Sequence, residues 1–222
     1  MSLSRETEVI FDSRRGQDYH SANPPLYDSS TFHQTVLGGN AQYDYARSGN
    51  PNRTLLEEKL ARLEGGKYAF AYASGIAAIT AVLLTLKSDD HVILPDDIYG
   101  GTLRLTEQIL NRFNIKFTTV NATNILEIKN AIQSNTKLIY VETPSNPLFK
   151  ITDIRAVARI AKQNNLLLAV DNTFMTPLGQ SPLALGADIV VHSATKFLGG
   201  HSDLIAGAAI TNRKDIADAL YL

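Results

Sequence analysis

Short, continuous apolar runs alternate with stretches of helical periodicity along most of this chain, and this alternation constrains the fold more than any other feature. Strands that are apolar throughout are typical of parallel sheets covered on both faces. The sequence therefore predicts an α/β fold with a mainly parallel sheet flanked by helices. The predicted strands are residues 68–73, 92–95, 116–120, 138–142, 166–171, 189–192 and 206–211. The predicted helices are residues 52–64, 75–86, 102–113, 125–133 and 153–164, and another starts near Lys214.

The first 50 residues differ from the rest, because they are polar, irregular and interrupted by proline and glycine. They are predicted to form an extended N-terminal arm, and residues 51–222 one large domain. Residues 1–15 contain no apolar segment of the kind that marks a secretory signal. No apolar stretch is long enough to span a bilayer. A cytoplasmic location and no membrane partner are therefore expected.

Composition excludes several classes of function. The formal net charge of −1 gives no general attraction to nucleic acid or to an anionic membrane. The chain has no cysteine, which excludes disulfides, a cysteine nucleophile and thiolate metal sites. No metal site is predicted.

Polar residues follow most of the predicted strands. Ligands of open α/β sheets bind beyond the carboxyl ends of the strands, so these positions are the candidates for a site. They include Ser74 and Gly75, Tyr99, Asn146, Asp171, and the segment from Ser193 to Lys196.

Two of these residues suggest covalent and ionic chemistry. Lys196 lies soon after a buried strand and beside apolar Phe197 and Leu198, whose shielding would favour the neutral amine and a Schiff base with an aldehyde cofactor. Asp171 ends a buried strand, where a carboxylate needs a partner. Each also has a plainer explanation: Lys196 as a solvated surface lysine, and Asp171 as a helix cap or loop contact.

Other residues suggest a phosphate site. Ser74 and Gly75 join a strand to a helix whose free N–H groups suit an anion, although Ser74 could equally be an ordinary cap. Ser193 and Thr195 could add hydroxyl donors. Arg47, in the arm near Tyr45, could clamp a phosphate. Tyr99 could stack on a ring or move a proton, and Asn146 could donate to a phenolate oxygen.

Six stretches, in order along nearly the whole chain, closely resemble the Cys/Met-metabolism family of pyridoxal-phosphate (PLP) enzymes. This family includes cystathionine β-lyase, γ-lyase and γ-synthase, methionine γ-lyase and the O-acylhomoserine sulfhydrylases. The stretches are YARSGNP (45–51), ASGIAAI (73–79), YGGT (99–102), ETPSNP (142–147), VDNTF (170–174) and SATKF (193–197).

The resemblance implies a fold like the type I aminotransferases and a role for each candidate. Lys196 would form the Schiff base and move protons, Asp171 would pair with the pyridine nitrogen, Asn146 would contact the ring hydroxyl, and Tyr99 would stack on the ring. The phosphate would be held by Ser74, Gly75, Ile76, Ser193 and Thr195. Ile76 stands where methionine is common, but its contribution comes from its backbone N–H. Tyr45 and Arg47 would reach the phosphate of a neighbouring subunit, in a tetramer built as a dimer of dimers.

The resemblance also implies a sulfur amino-acid substrate. The stretches STFHQ (30–34) and NTFMTP (172–177) resemble bacterial cystathionine β-lyases, which favours β-elimination of cystathionine to homocysteine, pyruvate and ammonia. γ-Elimination or γ-replacement stays open. Family members continue well past the lysine, so the chain is expected to be a fragment without the C-terminal domain and the arginine that binds the substrate carboxylate.

Two readings of other classes remain. A catalytically inactive PLP-binding fragment would be compatible with that length, but the complete set of Lys196, Asp171, Tyr99 and Arg47 opposes it. A nicotinamide-dependent oxidoreductase would need a Gly-x-Gly-x-x-Gly turn after the first strand, and the turn at Ser74 does not supply one.

Overall fold

A computed structural model describes residues 4–10, 23–36 and 38–221, and its centre is a seven-stranded sheet. The sheet order is β1-β7-β6-β5-β4-β2-β3. Strands β3, β2, β4, β5 and β6 are parallel neighbours, whereas β7 runs antiparallel to both β6 and β1. The predicted α/β fold with a mainly parallel sheet is confirmed, and the antiparallel edge is an addition to it. The strands are β1 Tyr68–Tyr72, β2 His91–Pro95, β3 Lys116–Val120, β4 Thr136–Glu142, β5 Leu167–Asp171, β6 Ile189–His192 and β7 Gly207–Thr211.

Each predicted helix is present, although not always at the predicted length. The helices are α1 Arg5–Ile10, α2 Pro51–Glu64, α3 Gly75–Leu83, α4 Gly100–Arg104, α5 Ile125–Asn130, α6 Ile154–Gln163, α7 Thr176–Gly179, α8 Pro182–Leu185 and α9 Lys214–Tyr221, of which α1, α7 and α8 were not predicted. The helix predicted at 102–113 is α4 followed by a π turn at Leu105–Ile109 and a 3₁₀ turn at Leu110–Phe113. Within the described residues, no helix is long and apolar enough to cross a membrane.

Within the predicted arm, residues Arg5–Ile10 form helix α1, which was not predicted. This helix is anchored from outside, because Arg5 donates to the carbonyl of Pro177 at 2.9 Å and Glu8 lies 3.8 Å from Arg62 of α2. Such tertiary anchors leave no periodic signal in a segment of six residues. Residues 1–3, 11–22, 37 and 222 lie outside the described residues. They belong to the predicted arm, including part of the segment 1–15 in which no secretory signal was found, and to the predicted large domain.

The described part of the arm reaches α2 through side-chain amides. Asn50 caps α2 by accepting from the amide of Asn52 at 2.8 Å and donates to the carbonyl of Tyr27 at 2.9 Å. Asn52 donates to the carbonyl of Pro25 at 2.7 Å and accepts from the amide of Tyr27 at the same distance. Pro51 occupies the first helical turn, where its missing N–H costs nothing. The start of α2 thus holds the part of the arm around Pro25 and Tyr27.

Apolar side chains cover both faces of the sheet. Helix α3 packs Val82 and Leu83 against one face, and α6 packs Val157 and Ile160 against the other. Each fully buried side chain of this size contributes about 2 kcal/mol to folding. Leu168 of β5, between these layers, is fully buried. Because the sheet is packed on both faces, the carboxyl ends of its strands are held in fixed positions relative to one another.

Candidate active site

A cavity of about 240 Å³ lies at the carboxyl ends of β4, β5 and β6, beside the start of α3. All of the predicted site residues except Tyr45 and Arg47 line it: Ser74, Gly75, Ile76, Tyr99, Asn146, Asp171, Ser193, Thr195 and Lys196. The remaining lining residues were not among the predicted site residues; they are Ile79, Glu142, Thr173, Phe174 and Ile205. The strand-end rule therefore leads to one cavity.

Asp171 is a buried carboxylate with a full set of donors. Its Oδ2 accepts from the hydroxyl of Tyr140 at 3.0 Å, and its Oδ1 accepts from the amide of Thr173 at 3.0 Å and the Thr173 hydroxyl at 2.5 Å. Burial, followed by the charge of Asp171, holds the pKa of Tyr140 well above its ordinary value, so Tyr140 stays a donor. These donors occupy both carboxyl oxygens of Asp171 and fix the direction of its side chain. The carboxylate is ready to meet a cationic group in the cavity.

The start of α3 forms an anion cradle against β6. Ser74 accepts from the amide of Ala77 at 3.2 Å, which caps α3 and leaves the Ser74 hydroxyl proton for another acceptor. A Cβ at Gly75 would lie 2.5 Å from the Cβ of Ser193, so only glycine allows this approach. The free N–H groups at the start of α3 and the hydroxyl of Ser193 therefore lie side by side, as a phosphate requires.

Thr195 lines the same cavity, but its hydroxyl is already used. It donates to the carbonyl of Ala206 and accepts from the amide of Ala206, each at 3.1 Å. The expected hydroxyl donation from Thr195 to a phosphate is therefore not prepared in this arrangement. Ser193 and Ser74 are the better hydroxyl donors.

Lys196 lies at the rim of the cavity and is exposed. Of the two apolar neighbours expected to shield it, Phe197 is 64% exposed and packs edge-on against Phe174, whereas Leu198 is partly buried. The backbone explains the exposure: the amide of Lys196 donates to Ser193 at 3.1 Å, forming a turn that leaves the sheet towards the surface. Within this chain, the Lys196 amine is therefore accessible at the cavity rather than enclosed.

Tyr45 and Arg47 lie elsewhere, in the arm. The Arg47 guanidinium is 4.9 Å from the centre of the Tyr45 ring, and both side chains are exposed. Arg53 of α2 holds this turn by donating to the carbonyls of Arg47 at 3.0 Å and Ser48 at 2.6 Å. The two residues do not line the cavity of their own chain, so their expected contact with a neighbouring subunit stays a prediction.

A buried polar cluster supports the strand ends from the side opposite the cavity. Glu64 of α2 accepts from Asn172 at 2.8 Å and lies 2.5 Å from His192, and both ionisable side chains are almost fully buried. Asn172 follows Asp171 and His192 precedes Ser193, so alternate side chains of the same strands point to the cluster and to the cavity. The cluster therefore fixes two cavity residues through their neighbours.

Glu142 and Thr173 are polar cavity residues that stand in the family stretches ETPSNP and VDNTF but were assigned no role from the sequence. Glu142 ends buried strand β4, as Asp171 ends β5, and that shared position was the available signal. Thr173 donates to Asp171 and accepts from the amide of Ser193 at 2.8 Å, so it joins the ends of β5 and β6. A threonine two residues after a strand-end aspartate is also the pattern of an ordinary turn, and so it carries no specific signal.

Burial, and after it the charge of Asp171, raise the pKa of Glu142 from 4.5 to about 8. The folded protein then holds this proton more tightly than the unfolded chain, so the contribution of Glu142 to stability falls as pH rises through that range. We expect Glu142→Gln in cofactor-free protein to lessen the loss of stability between about pH 5 and about pH 8 by roughly 3 kcal/mol. Urea unfolding at both pH values measures this. Glu107→Gln, which removes an exposed carboxylate, is the control, and an equal effect of the two substitutions would contradict the assignment.

Comparison with known proteins identifies the family. The model of the Cys/Met metabolism PLP-dependent enzymes matches residues 6–222. The chain belongs to this family. It is 86% identical over 222 residues to a cystathionine beta-lyase of Staphylococcus haemolyticus, and 47% identical over 220 residues to a cystathionine gamma-lyase of Bacillus subtilis. These alignments cover 100% and 99% of the chain but 57% and 58% of the relatives, so the chain spans little more than half of their length.

Solved structures of the family agree with the fold. The crystal structure of cystathionine gamma-lyase from Lactobacillus plantarum, complexed with L-serine, has a TM-score of 0.95 and 43% sequence identity, over 99% of this chain and 57% of that one. The structure of metB from Corynebacterium glutamicum has the same TM-score and identity. The family resemblance stated from the motifs is confirmed.

The family depends on PLP, and the residues of the cavity fit this cofactor. PLP presents an aldehyde, a pyridine nitrogen and a phosphate. The cavity offers the amine of Lys196, the hydrogen-bonded carboxylate of Asp171, and the glycine-dependent cradle between Gly75 and Ser193. The amine suits the aldehyde, the carboxylate suits the pyridine nitrogen, and the cradle suits the phosphate.

Proposed function

We propose that this chain is the cofactor-binding part of a PLP-dependent carbon–sulfur lyase of cysteine and methionine metabolism. The substrate of that enzyme is cystathionine, which β-elimination followed by addition of one water molecule converts to homocysteine, pyruvate and ammonia. The observation that carries the proposal is the meeting of Lys196, Asp171 and the start of α3 in one cavity. The 86% identity to a protein named cystathionine beta-lyase supports the choice of reaction.

The residues divide the work by their chemistry. Lys196 holds the cofactor through its amine and, once released, carries the proton that leaves the substrate carbon next to the amino group. Asp171 keeps a proton on the ring nitrogen, because its carboxylate stabilises that positive charge. Bound PLP draws electrons away from that substrate carbon and so makes its proton acidic. The amine can then return the proton to another atom of the reacting substrate.

The other cavity residues bind and orient the cofactor. Ser74, Gly75, Ile76 and Ser193 hold the phosphate through hydroxyl groups and backbone N–H groups. Thr195 supports these residues indirectly, because its hydroxyl bonds to Ala206 and so holds the turn before Lys196 in place. Asn146 donates to the ring hydroxyl and Tyr99 covers one side of the ring. Residues 1–50 form the arm and residues 51–222 belong to the cofactor domain, in a cytoplasmic tetramer that binds neither nucleic acid nor membrane.

The proposed reaction is tested by its products. Incubation of the full-length enzyme, of which this chain is proposed to be the cofactor-binding part, with PLP and cystathionine should release pyruvate and homocysteine, both measurable by mass spectrometry. Release of 2-oxobutyrate and cysteine would instead favour γ-elimination, the second candidate, which the relative and the solved structure named gamma-lyases support. Bound PLP without either oxo acid would favour the catalytically inactive reading.

Sharing of the site between subunits can be tested by mixing inactive variants. Arg47→Ala and Lys196→Ala should each be nearly inactive, but random mixed dimers should recover about a quarter of wild-type activity, because half of the dimers then contain one intact site. The readout is oxo-acid release after the subunits are unfolded and reassembled together. Lys196→Ala mixed with Asp171→Asn is the matched control, since one subunit provides both Lys196 and Asp171 to each site and no mixed dimer then contains an intact site. Recovery no greater than in this control would contradict sharing.

A further inference from the structure

Glu142 is a second buried carboxyl in the cavity, beside Asp171. It ends β4 in register with Asp171 of β5, and it is 7% exposed. None of the cofactor contacts proposed above uses it. A carboxyl buried this deeply needs polar partners that compensate for its lost water.

The backbone of Tyr99 is one such partner. Its amide donates to Oε2 of Glu142 at 2.9 Å. Tyr99 precedes α4, and no side chain caps that helix. Its ring is 43% exposed and packs so closely over Gly101 that a Cβ there would lie 2.3 Å from the ring. The Glu142 bond therefore fixes the backbone from which the Tyr99 ring extends into the cavity.

The loop after β4 follows Glu142 directly and brings Asn146 to the lining of the same cavity. This loop is joined to the loop after β2 through Asp97, which accepts from the hydroxyl of Ser145 and, at 3.1 Å, from the amide of Leu148. The bond from the Tyr99 amide to Glu142 is therefore a further link between the loop after β2 and the end of β4.

The two neighbouring carboxyls differ in their surroundings. Burial, and then the charge of Asp171, raise the pKa of Glu142 to about 8, whereas the Asp171 carboxyl accepts from three donors. Environments that differ in this way suit two carboxyls to different roles.

We propose that Glu142 is a positioning residue of the cofactor cavity, and that its carboxyl holds the backbone of Tyr99 so that the Tyr99 ring meets the cofactor. This inference rests on the proposed function. It assigns Glu142 no contact with the reacting atoms. Its action on PLP passes through Tyr99.

Hydrogen exchange and PLP binding test this role. Glu142→Leu removes the acceptor, and the amide of Tyr99 should then exchange about tenfold faster in the cofactor-free protein. The dissociation constant of PLP, measured by absorbance titration, should rise about tenfold. Glu142→Gln keeps an acceptor oxygen and should recover most of both losses. Amide exchange that is unchanged in Glu142→Leu, or a glutamine variant no better than leucine, would overturn the inference.

A double-mutant cycle separates positioning from general loosening. If Glu142 acts through Tyr99, adding Tyr99→Ala to Glu142→Leu should raise the dissociation constant less than about twofold further. For Ser74→Ala, which lies on the phosphate side, the fold increases in the dissociation constant of the two single variants should multiply when it is combined with Glu142→Leu. Urea unfolding of each variant checks the fold. If the fold increases multiply equally in both pairs, the inference about Glu142 is overturned but the proposed function is not. Failure of the wild-type protein to bind PLP overturns the proposed function and the inference together.

Discussion

Replacement of Lys196 by alanine is expected to abolish covalent attachment of PLP and to lower the rate of oxo-acid release by about 10³-fold or more. Alanine offers no amine to the aldehyde and no group that can carry the substrate proton. The phosphate cradle at Ser74, Gly75 and Ser193 is unchanged, so the variant should still bind PLP reversibly. Visible absorbance after gel filtration measures attachment, and an oxo-acid assay measures turnover.

The matched control for this substitution is Lys129→Ala, which removes an exposed lysine of α5. This variant should keep the absorbance and the turnover of the wild type. Since Lys196 is exposed at the cavity rim, its replacement leaves no buried cavity, and the unfolding free energy should change by less than about 1 kcal/mol. Full absorbance in Lys196→Ala would show that another amine holds the cofactor.

Replacement of Asp171 by asparagine is expected to lower turnover by about 10²–10³-fold, because the neutral amide cannot stabilise a proton on the ring nitrogen. The fold should persist. The amide oxygen can still accept from Thr173, and one mismatched bond with Tyr140 costs about 1–3 kcal/mol. Steady-state kinetics and urea unfolding separate the two effects.

Asp188→Asn is the control for loss of a strand-associated carboxylate. Asp188 precedes β6 at the opposite end of the sheet, where it accepts from the amide of Leu168 at 2.9 Å and lies 3.2 Å from Arg213. Its replacement should cost stability without a selective loss of turnover. Comparable kinetics in the two variants would remove Asp171 from the proposed chemistry.

The strands were predictable because the sheet is buried on both faces. Runs such as the one that ends at Asp171 are apolar throughout, and polar residues begin where the strand leaves the core. The same rule brought Ser74, Asp171 and Lys196 to one cavity. The antiparallel direction of β7 carries no such signal, since a buried strand has the same apolar pattern whichever way it runs between β1 and β6.

The remaining differences come from tertiary contacts that no local pattern encodes. Helix α1 depends on Arg5 and Glu8 reaching residues far along the chain. Lys196 is exposed because the turn from Ser193 carries it away from the sheet. Glu142 could have been predicted by the reasoning applied to Asp171, but its bond to Tyr99 depends on how the loop after β2 folds back over β4.

The central claim is that the cavity is a PLP site in which Lys196 provides the amine. Its most direct test is to add PLP to the purified wild-type protein, reduce with borohydride, digest, and map the modified peptide by mass spectrometry. A single pyridoxyl group on Lys196 is the predicted result. Modification spread over exposed lysines such as Lys129, with none preferred, would contradict the claim.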